Sequence, residues 1–446
     1  PLAALVCAEA SQKKSRLLPR GALIVFGTGS ELNREVLTQH DRYKTHALSG
    51  QFFPGKDAPP RMRPLRRMLT GLFHVNGDEH RRHRHLLMPS FHKSRIDAYR
   101  DDMVRLTNEM LAEWQPGQLR DLSEEMTRLT LRVATKTLFG DDVGDAGMQV
   151  ASWLQDWLAV MFSPSMYLSW DLPFLPYRRW LDRTHQIDQA MVEIVSRKRA
   201  SGRDGGDMLS MLLASRDENG VPLTDDELIG HVGVIFAAGH ETSANALSWI
   251  LFLLAQHPQI TCDLIDELTA ELRGEAPTTE QLARLPLLDK VVKEGLRILP
   301  PVPLHPRFIS ESTELQGYEL PAGTVIFLSI FHLHHDPALF AEPRRFLPSR
   351  WAKLKPSVYE YNPFGAGPRM CIGAAFATME LKIVLSMILQ RFRIAPVEGH
   401  KLDYRVAITM APRPGITARL HAADGRWDKS AGGVRGSIRE LVALPL

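Results

Sequence analysis

Three stretches of the chain hold residue types that could do chemistry. The first surrounds Cys371, in the run Asn362-Pro363-Phe364-Gly365-Ala366-Gly367-Pro368-Arg369-Met370-Cys371-Ile372-Gly373. Glycine tolerates positive φ and proline fixes φ, so this run reads as a tight loop. Residues 374–392 then carry apolar side chains at helical spacing with no breaker. Cys371 therefore stands where a rigid loop becomes a helix. A thiolate there gains from free backbone N–H groups and the positive helix end, which makes the sulfur a poised soft ligand. A lone cysteine beside a helix also fits a small buried hydrophobe, and the local pattern alone leaves both readings open.

The second stretch is Ala237-Ala238-Gly239-His240-Glu241-Thr242-Ser243-Ala244-Asn245, inside a helix predicted over 225–257. Glycine and a run of polar groups within an apolar helix are costly, and proteins keep such violations mainly at functional sites. A kink that merely packs against a neighbour is the other reading. Thr242 can hydrogen-bond back to the carbonyl of Ala238 and open the helix there. The third stretch is the basic run from Gly77 to Leu87, predicted as a helix with Asp78 near its start. His80 and Arg84 share one face at i and i+4. The run fits a solvated charged face; a metal site would want carboxylate or cysteine partners in register.

The run Phe-Gly-x-Gly-x-Arg-x-Cys-x-Gly ending at Gly373 resembles, position for position, the haem-thiolate loop of the cytochromes P450. The resemblance implies that Cys371 is the axial thiolate on haem iron, that Phe364 shields the sulfur and that Arg369 pairs with a haem propionate. It implies that Gly373 lets the backbone approach the sulfur closely enough to hydrogen-bond it. The run 237–242 resembles the family's oxygen-binding signature, Ala-Gly-x-Glu/Asp-Thr. Thr242 with Glu241 would then pass protons to dioxygen, and small Ala238 and Gly239 would leave room over the iron. His80 and Arg84 fit the family's His-x-x-x-Arg pattern, and Arg307 matches a further propionate-binding arginine. Arg81, Arg82 and His83 would partly face outward and help dock an acidic electron donor.

Glu294 and Arg297 form a Glu-x-x-Arg pair that alone could be a surface salt bridge. With the run Phe340–Trp351 it resembles the family's buried Glu–Arg–Arg triad, Arg350 matching the second arginine. Many members have Glu where Ser349 stands, which puts one local contact in doubt.

The elements that must position these residues follow from patterning. Residues 22–26 read as a strand, and Ser30 to His40 as a helix with Ser30 as N-cap. Residues 49–64 read as an irregular loop, and 100–140 as two amphipathic helices that include Leu119. The long helix follows N-cap candidate Thr224, and a further helix covers 287–299. Residues 306–330 and 393–420 read as short strands, with a turn at 321–323. Residues 153–180 are rich in aromatics: Trp153, Trp157, Phe162, Tyr167, Trp170, Phe174, Tyr177 and Trp180. These fit a packed helix–loop–helix; by resemblance the region would be the lid over a substrate channel, with residues 301–305 bordering the pocket.

Composition sets outer bounds. The chain has 446 residues with a net charge of +3, too balanced to imply nucleic acid by itself. Its three cysteines, Cys7, Cys262 and Cys371, are odd in number and widely spaced, which argues against a disulfide framework and for a reducing compartment. Residues 1–10 lack a signal-peptide pattern. The longest apolar run, Ala246 to Ala255, falls short of the ~20 residues needed to span a bilayer. A soluble, cytoplasmic protein is expected. The first residue is proline rather than methionine, so part of the natural N-terminus is expected to lie outside this sequence.

The resemblance implies a mainly α fold with a small β region, haem b lying between the long central helix and the helix after the cysteine loop. Residues 1–421 would be a single haem domain; no function is assigned to 422–446. The implied reaction is oxygen-dependent hydroxylation or epoxidation of an apolar molecule such as a terpene, polyketide, fatty acid or steroid. Electrons would come from a separate ferredoxin or flavodoxin and its reductase, and the protein is expected to be a monomer. A peroxide-driven peroxygenase is the rival reading, but such members lack the acid–threonine pair that Glu241 and Thr242 supply. A non-catalytic haem sensor would have no need of Thr242.

Overall fold

Thr224 starts the longest helix, Asp225–Gln256, with a reciprocal cap. Its hydroxyl accepts from the Glu227 N–H at 3.3 Å, and the Glu227 carboxylate accepts from the Thr224 N–H at 2.7 Å. This computed structural model describes residues 6–8, 23–45, 59–140, 144–161, 170–202, 205–427 and 433–444. From Ser243 to Gln256 the helix is buried on all sides, which only a helix at the centre of a bundle can be. Packed around it are Leu122–Phe139, Arg63–Met68, Pro286–Ile298 and Ala374–Leu389, the last being the helix that follows Cys371.

The β structure is small and lies to one side. A five-stranded sheet runs in the order Val6–Ala8, Ile24–Gly27, Val325–Ser329, Leu304–Ile309, Tyr43–Lys44; its one parallel pairing sets Ile24 against Val325. Leu119–Asp121, Thr417–Ala422 and Phe392–Pro396 form a second sheet. A separate hairpin pairs Asp403–Val406 with Met410–Arg413. Segment 433–444 buries Val434, Ile438 and Val442 in the helical core. It holds the base of that hairpin: the Ser437 N–H donates to the Asp403 carboxylate at 2.8 Å, and the Leu402 N–H donates to the Arg435 carbonyl at 2.8 Å.

There are two apolar cores. The larger belongs to the helices, and a smaller one joins the five-stranded sheet to helix Ser30–Thr38 through Val25, Leu32, Val36, Ile326 and Leu328. The cysteine loop spans both. Ala366 is buried in the smaller core, while Phe364 and Ile372 pack against the larger.

Several expectations need adjustment. Ser30 is the first helical residue rather than the cap; Gly29, at φ +132°, takes the cap position with no side-chain bond. Leu119 belongs to a strand between helices Lys93–Ala112 and Leu122–Phe139, because it pairs with Arg419 of the C-terminal sheet. The predicted loop 49–64 turns helical at Pro60, and its residues 49–58 lie outside the described residues. The aromatic stretch divides. Trp157 stacks on Trp180 at 4.9 Å and Tyr177 on Trp180 at 6.0 Å, so these pack helix Gly144–Met161 onto Pro176–Ser201. Trp170 and Phe174 are exposed, and Phe162 and Tyr167 lie outside the described residues.

Candidate active site

Backbone bonds fix the cysteine loop. The Gly365 N–H donates to the Asn362 carbonyl at 2.8 Å, and the Cys371 N–H donates to the Phe364 carbonyl at 2.8 Å. Gly365 and Gly367 take φ of +72° and +71°. At Gly367 a Cβ would also stand 2.4 Å from the carbonyl oxygen of Leu37, so glycine is required there twice over. At Gly373 φ is −88° and a Cβ would stand 3.9 Å from Cys371 Sγ, so neither backbone nor space demands glycine; its N–H does bond the sulfur.

The Cys371 side chain is accessible to solvent, yet burial among protein atoms pushes its thiol upward, against the opposing pull of the Gly373 N–H and Arg84. A group both accessible and desolvated lines an interior cleft. Desolvation therefore outweighs the opposing pull of the Gly373 N–H and Arg84.

Cations converge on the same cleft. Burial, then repulsion from Arg307 and Arg84, lowers Arg369 to about 10. Burial alone lowers Arg307 to about 10 and shifts Arg84 downward against the pull of Cys371. His80 falls to about 4 through burial and then through Arg369 and Arg84. Arg369 Nη2 donates to the Val75 carbonyl at 2.6 Å and to Asn76 Oδ1 at 2.7 Å, while its Nε and His80 Nδ1 are buried without a partner. Arg307 bonds only its neighbour's carbonyl, on Pro306. Among the described residues no carboxylate pairs with Arg84, Arg307 or Arg369. A cleft of about 350 Å³ lies beside them, lined by His80, Arg81, Arg84, His85, Met88 and Pro368. Three desolvated guanidinium groups that repel one another make a seat for a dianion.

One face of the central helix is less buried than the stretch that follows it. Val234, Ile235, Ala237, Ala238, Gly239, Glu241 and Thr242 are half-buried in a helix otherwise packed. Thr242 Oγ1 donates to the Ala238 carbonyl at 2.7 Å. Glu241 Oε1 accepts from Thr409 Oγ1 at 2.6 Å. His240, in the middle of the polar run, points into the core; its Nδ1–H donates to the Phe236 carbonyl at 2.9 Å, and its own carbonyl accepts from Thr130 at 2.9 Å. Burial lowers the His240 pKa.

The triad forms away from the cleft. Arg297 grips Glu294 bidentately at 2.9 and 3.0 Å, and Arg350 Nε donates to Glu294 Oε1 at 3.0 Å. Arg297 also donates to the carbonyls of His334, Pro343 and Arg345. The Trp351 indole N–H, at 2.9 Å, completes the Glu294 shell. Exposed Ser349 leaves the triad intact.

The outward-facing basic group is corrected. His83 is fully buried, its Nε2–H donating to Glu227 Oε1 at 2.9 Å and its ring edge-on to His231 at 4.8 Å. Arg82 pairs with Asp217 at 2.7 Å and Glu227 at 2.8 Å. The first turn of the central helix draws both residues inward, and Arg81, paired with Asp78, is the one that faces out.

Sequence reasoning missed Thr130, Thr409 and Glu380. Glu380 is buried on helix Ala374–Leu389 and interacts with Ser243; burial raises it to about 8, and its Oε2 has no partner. A carboxylate amid an apolar helical run was a readable signal. Nothing near Thr130 or Thr409 offered one.

The donor set fits haem: one sulfur at a loop–helix junction, a half-buried helix face of small residues, and cations that have no carboxylate partner among the described residues and would suit two propionates. Among the described residues no group of three or more His, Cys, Asp or Glu is arranged to hold a metal ion, and no helix is long and apolar enough to cross a membrane.

Comparison with known proteins agrees. The family "Cytochrome P450" matches residues 34–417. The chain is 34% identical over 334 residues to cyclooctat-9-en-7-ol 5-monooxygenase of Streptomyces melanosporofaciens, covering 73% of each chain. It is 31% identical over 325 residues to pentalenene oxygenase of Streptomyces avermitilis, covering 71% of this chain and 72% of that one. A solved structure of a cyanobacterial relative with bound retinoic acid superposes with a TM-score of 0.75 at 25% identity, over 90% of both chains.

Proposed function

Because the chain belongs to the cytochrome P450 family and is a monooxygenase of it, we propose that Cys371 ligates the iron of haem b and that the enzyme hydroxylates or epoxidises an apolar small molecule. The observation that carries this reading is the Cys371 sulfur interacting with Arg84, which with Arg307 presses its charge on Arg369, none of the three arginines having a carboxylate partner among the described residues. The three arginines and His80 would hold the haem propionates, and Phe364, packed on the helical core beside the sulfur's loop, would shield the sulfur.

Bound haem would supply dioxygen activation, and a thiolate ligand from Cys371 would favour it, as in P450s generally. The protein's part is protons, orientation and dryness. The balance is R–H + O2 + 2 e− + 2 H+ giving R–OH + H2O; an alkene would give an epoxide and water with the same inputs. Thr242 commits its proton to the Ala238 carbonyl, which leaves the lone pairs of its oxygen free to accept. Thr242 thus orients a proton donor in the groove over Ala238, and Glu241 resupplies protons beside it. Half-buried Ala238 and Gly239 would leave the apolar space a hydrocarbon needs.

Among apolar classes, terpenoids fit first, since relatives from Streptomyces are named for acting on cyclooctat-9-en-7-ol and pentalenene. An acidic ferredoxin or flavodoxin, reduced by its own reductase, would deliver the electrons, with exposed Arg81 at the contact. A free thiol at Cys262 suits the reducing cytoplasm.

The test is Cys371→Ala. The reduced carbon monoxide complex of the wild-type holoprotein should show the thiolate spectrum and the variant should lose it. A variant that keeps that spectrum refutes the ligand assignment.

A further inference from the structure

Glu241 is held by a residue 168 positions away in the chain. Thr409 sits at the tip of hairpin Asp403–Val406/Met410–Arg413 and donates its hydroxyl to Glu241 Oε1 at 2.6 Å. That tip is fixed on both sides of the next residue. The Met410 N–H donates to the Pro301 carbonyl at 2.8 Å, and the Met410 carbonyl accepts from the indole N–H of Trp249 at 3.0 Å. Trp249 is fully buried on the helix that carries Glu241, so hairpin and acid share one rigid frame. Thr409 itself is 6% exposed, whereas Val406 and Ile408 of the same turn are 44% and 45% exposed. The hydroxyl is buried where its neighbours are open.

We propose that Thr409 is the positioning residue for Glu241. By occupying Oε1 it assigns the exchangeable proton to Oε2. A carboxyl group carries its proton on one oxygen, and the other remains an acceptor in either protonation state, so the Thr409 bond persists while Oε2 releases and regains H+. In this exchange the Oε2–H bond breaks as the proton passes to the donor that Thr242 orients, replacing the proton that donor has given up, and a hydronium from solvent re-forms the Oε2–H bond. Without the hydroxyl, the carboxylate would rotate between two equivalent oxygens, and proton transfer depends on such geometry. The proposal rests on the reading of Glu241 as the group that resupplies protons.

The experiment compares Thr409→Val, which keeps the shape and removes the hydroxyl, with Thr409→Ser, which keeps the hydroxyl. Electrons are supplied to each holoprotein by a photoreduced flavin, and consumption of dioxygen alone is measured in H2O and in D2O. Thr409→Val should slow consumption by about tenfold and enlarge the solvent isotope effect, in the range seen when an outer partner of a reacting group is lost, while Thr409→Ser stays close to wild type. A second measurement is independent of turnover. Thermal unfolding of Thr409→Val, Glu241→Ala and the double variant should be non-additive, because the second substitution finds the bond already gone. Wild-type dioxygen kinetics in Thr409→Val, or additive unfolding, would overturn the assignment. A wild-type protein without the thiolate spectrum would instead bring down the haem reading itself, so the two failures are separable.

Discussion

Thr242 returns its hydroxyl to the carbonyl oxygen of Ala238, 2.7 Å away and one turn back along the central helix. The carbonyl loses its claim on a regular helical N–H, and the helix can open a groove there. Thr242→Ala should leave haem binding intact but divert electrons to hydrogen peroxide or water. Product per reducing equivalent should fall by about tenfold or more, at the low end for loss of an acid–base group. Thr242→Ser should keep most of the coupling. Full coupling in the alanine variant would refute the proton-handling role.

Glu294 and Arg297 are both fully buried, and each is the other's main counter-charge. Glu294→Gln should destabilise the fold by about 3–5 kcal/mol, because it leaves Arg297 an uncompensated buried charge. Denaturant unfolding measures it. A loss under about 1 kcal/mol, typical of an exposed pair, would mean water reaches the site.

Burial gives Glu380 a pKa of about 8 against an ordinary 4.5. The unfolded chain therefore releases this proton first, and the native state loses stability as pH rises from about 4.5 to about 8. Below that window the contribution is fully present. Glu380→Gln carries no proton to lose, so its melting temperature should gain on the wild type across the window and level off above it. Parallel curves for the two proteins would show that Glu380 is ionised in the fold.

Arg81 and Arg82 are neighbours in sequence with different duties. Arg82→Ala should cost about 1–3 kcal/mol, since Asp217 and Glu227 lose their partner. Arg81→Glu should leave the unfolding free energy within about 1 kcal/mol of wild type and slow electron delivery from an acidic ferredoxin, more so at low salt. Stopped-flow reduction at two ionic strengths reads the second effect. Equal kinetics would remove Arg81 from the docking surface.

The parts of the site that were legible in the sequence are those built from one continuous stretch. The glycines of the cysteine loop, the back-bond of Thr242 and the Glu294–Arg297 pair each sit within a turn or a loop, so spacing reports their geometry. What escaped was set by distant chain. His83 reads as a surface cation until Glu227 of another helix draws it inward. Thr409 has no local signal, because its meaning lies wholly in Glu241. Ser30 looked like a cap, but Gly29 takes that place at a φ that favours glycine. The Gly373 position shows the reverse limit: a motif glycine whose need is not visible among the protein's own atoms.

Segment 433–444 grips Asp403 at the foot of the hairpin whose tip holds Glu241. Peripheral sequence and reaction chemistry are thus joined by a single lever arm. A change near Ser437 that frees Asp403 would register as slowed dioxygen consumption, so this edge of the molecule is a poor place to engineer and an informative place to probe.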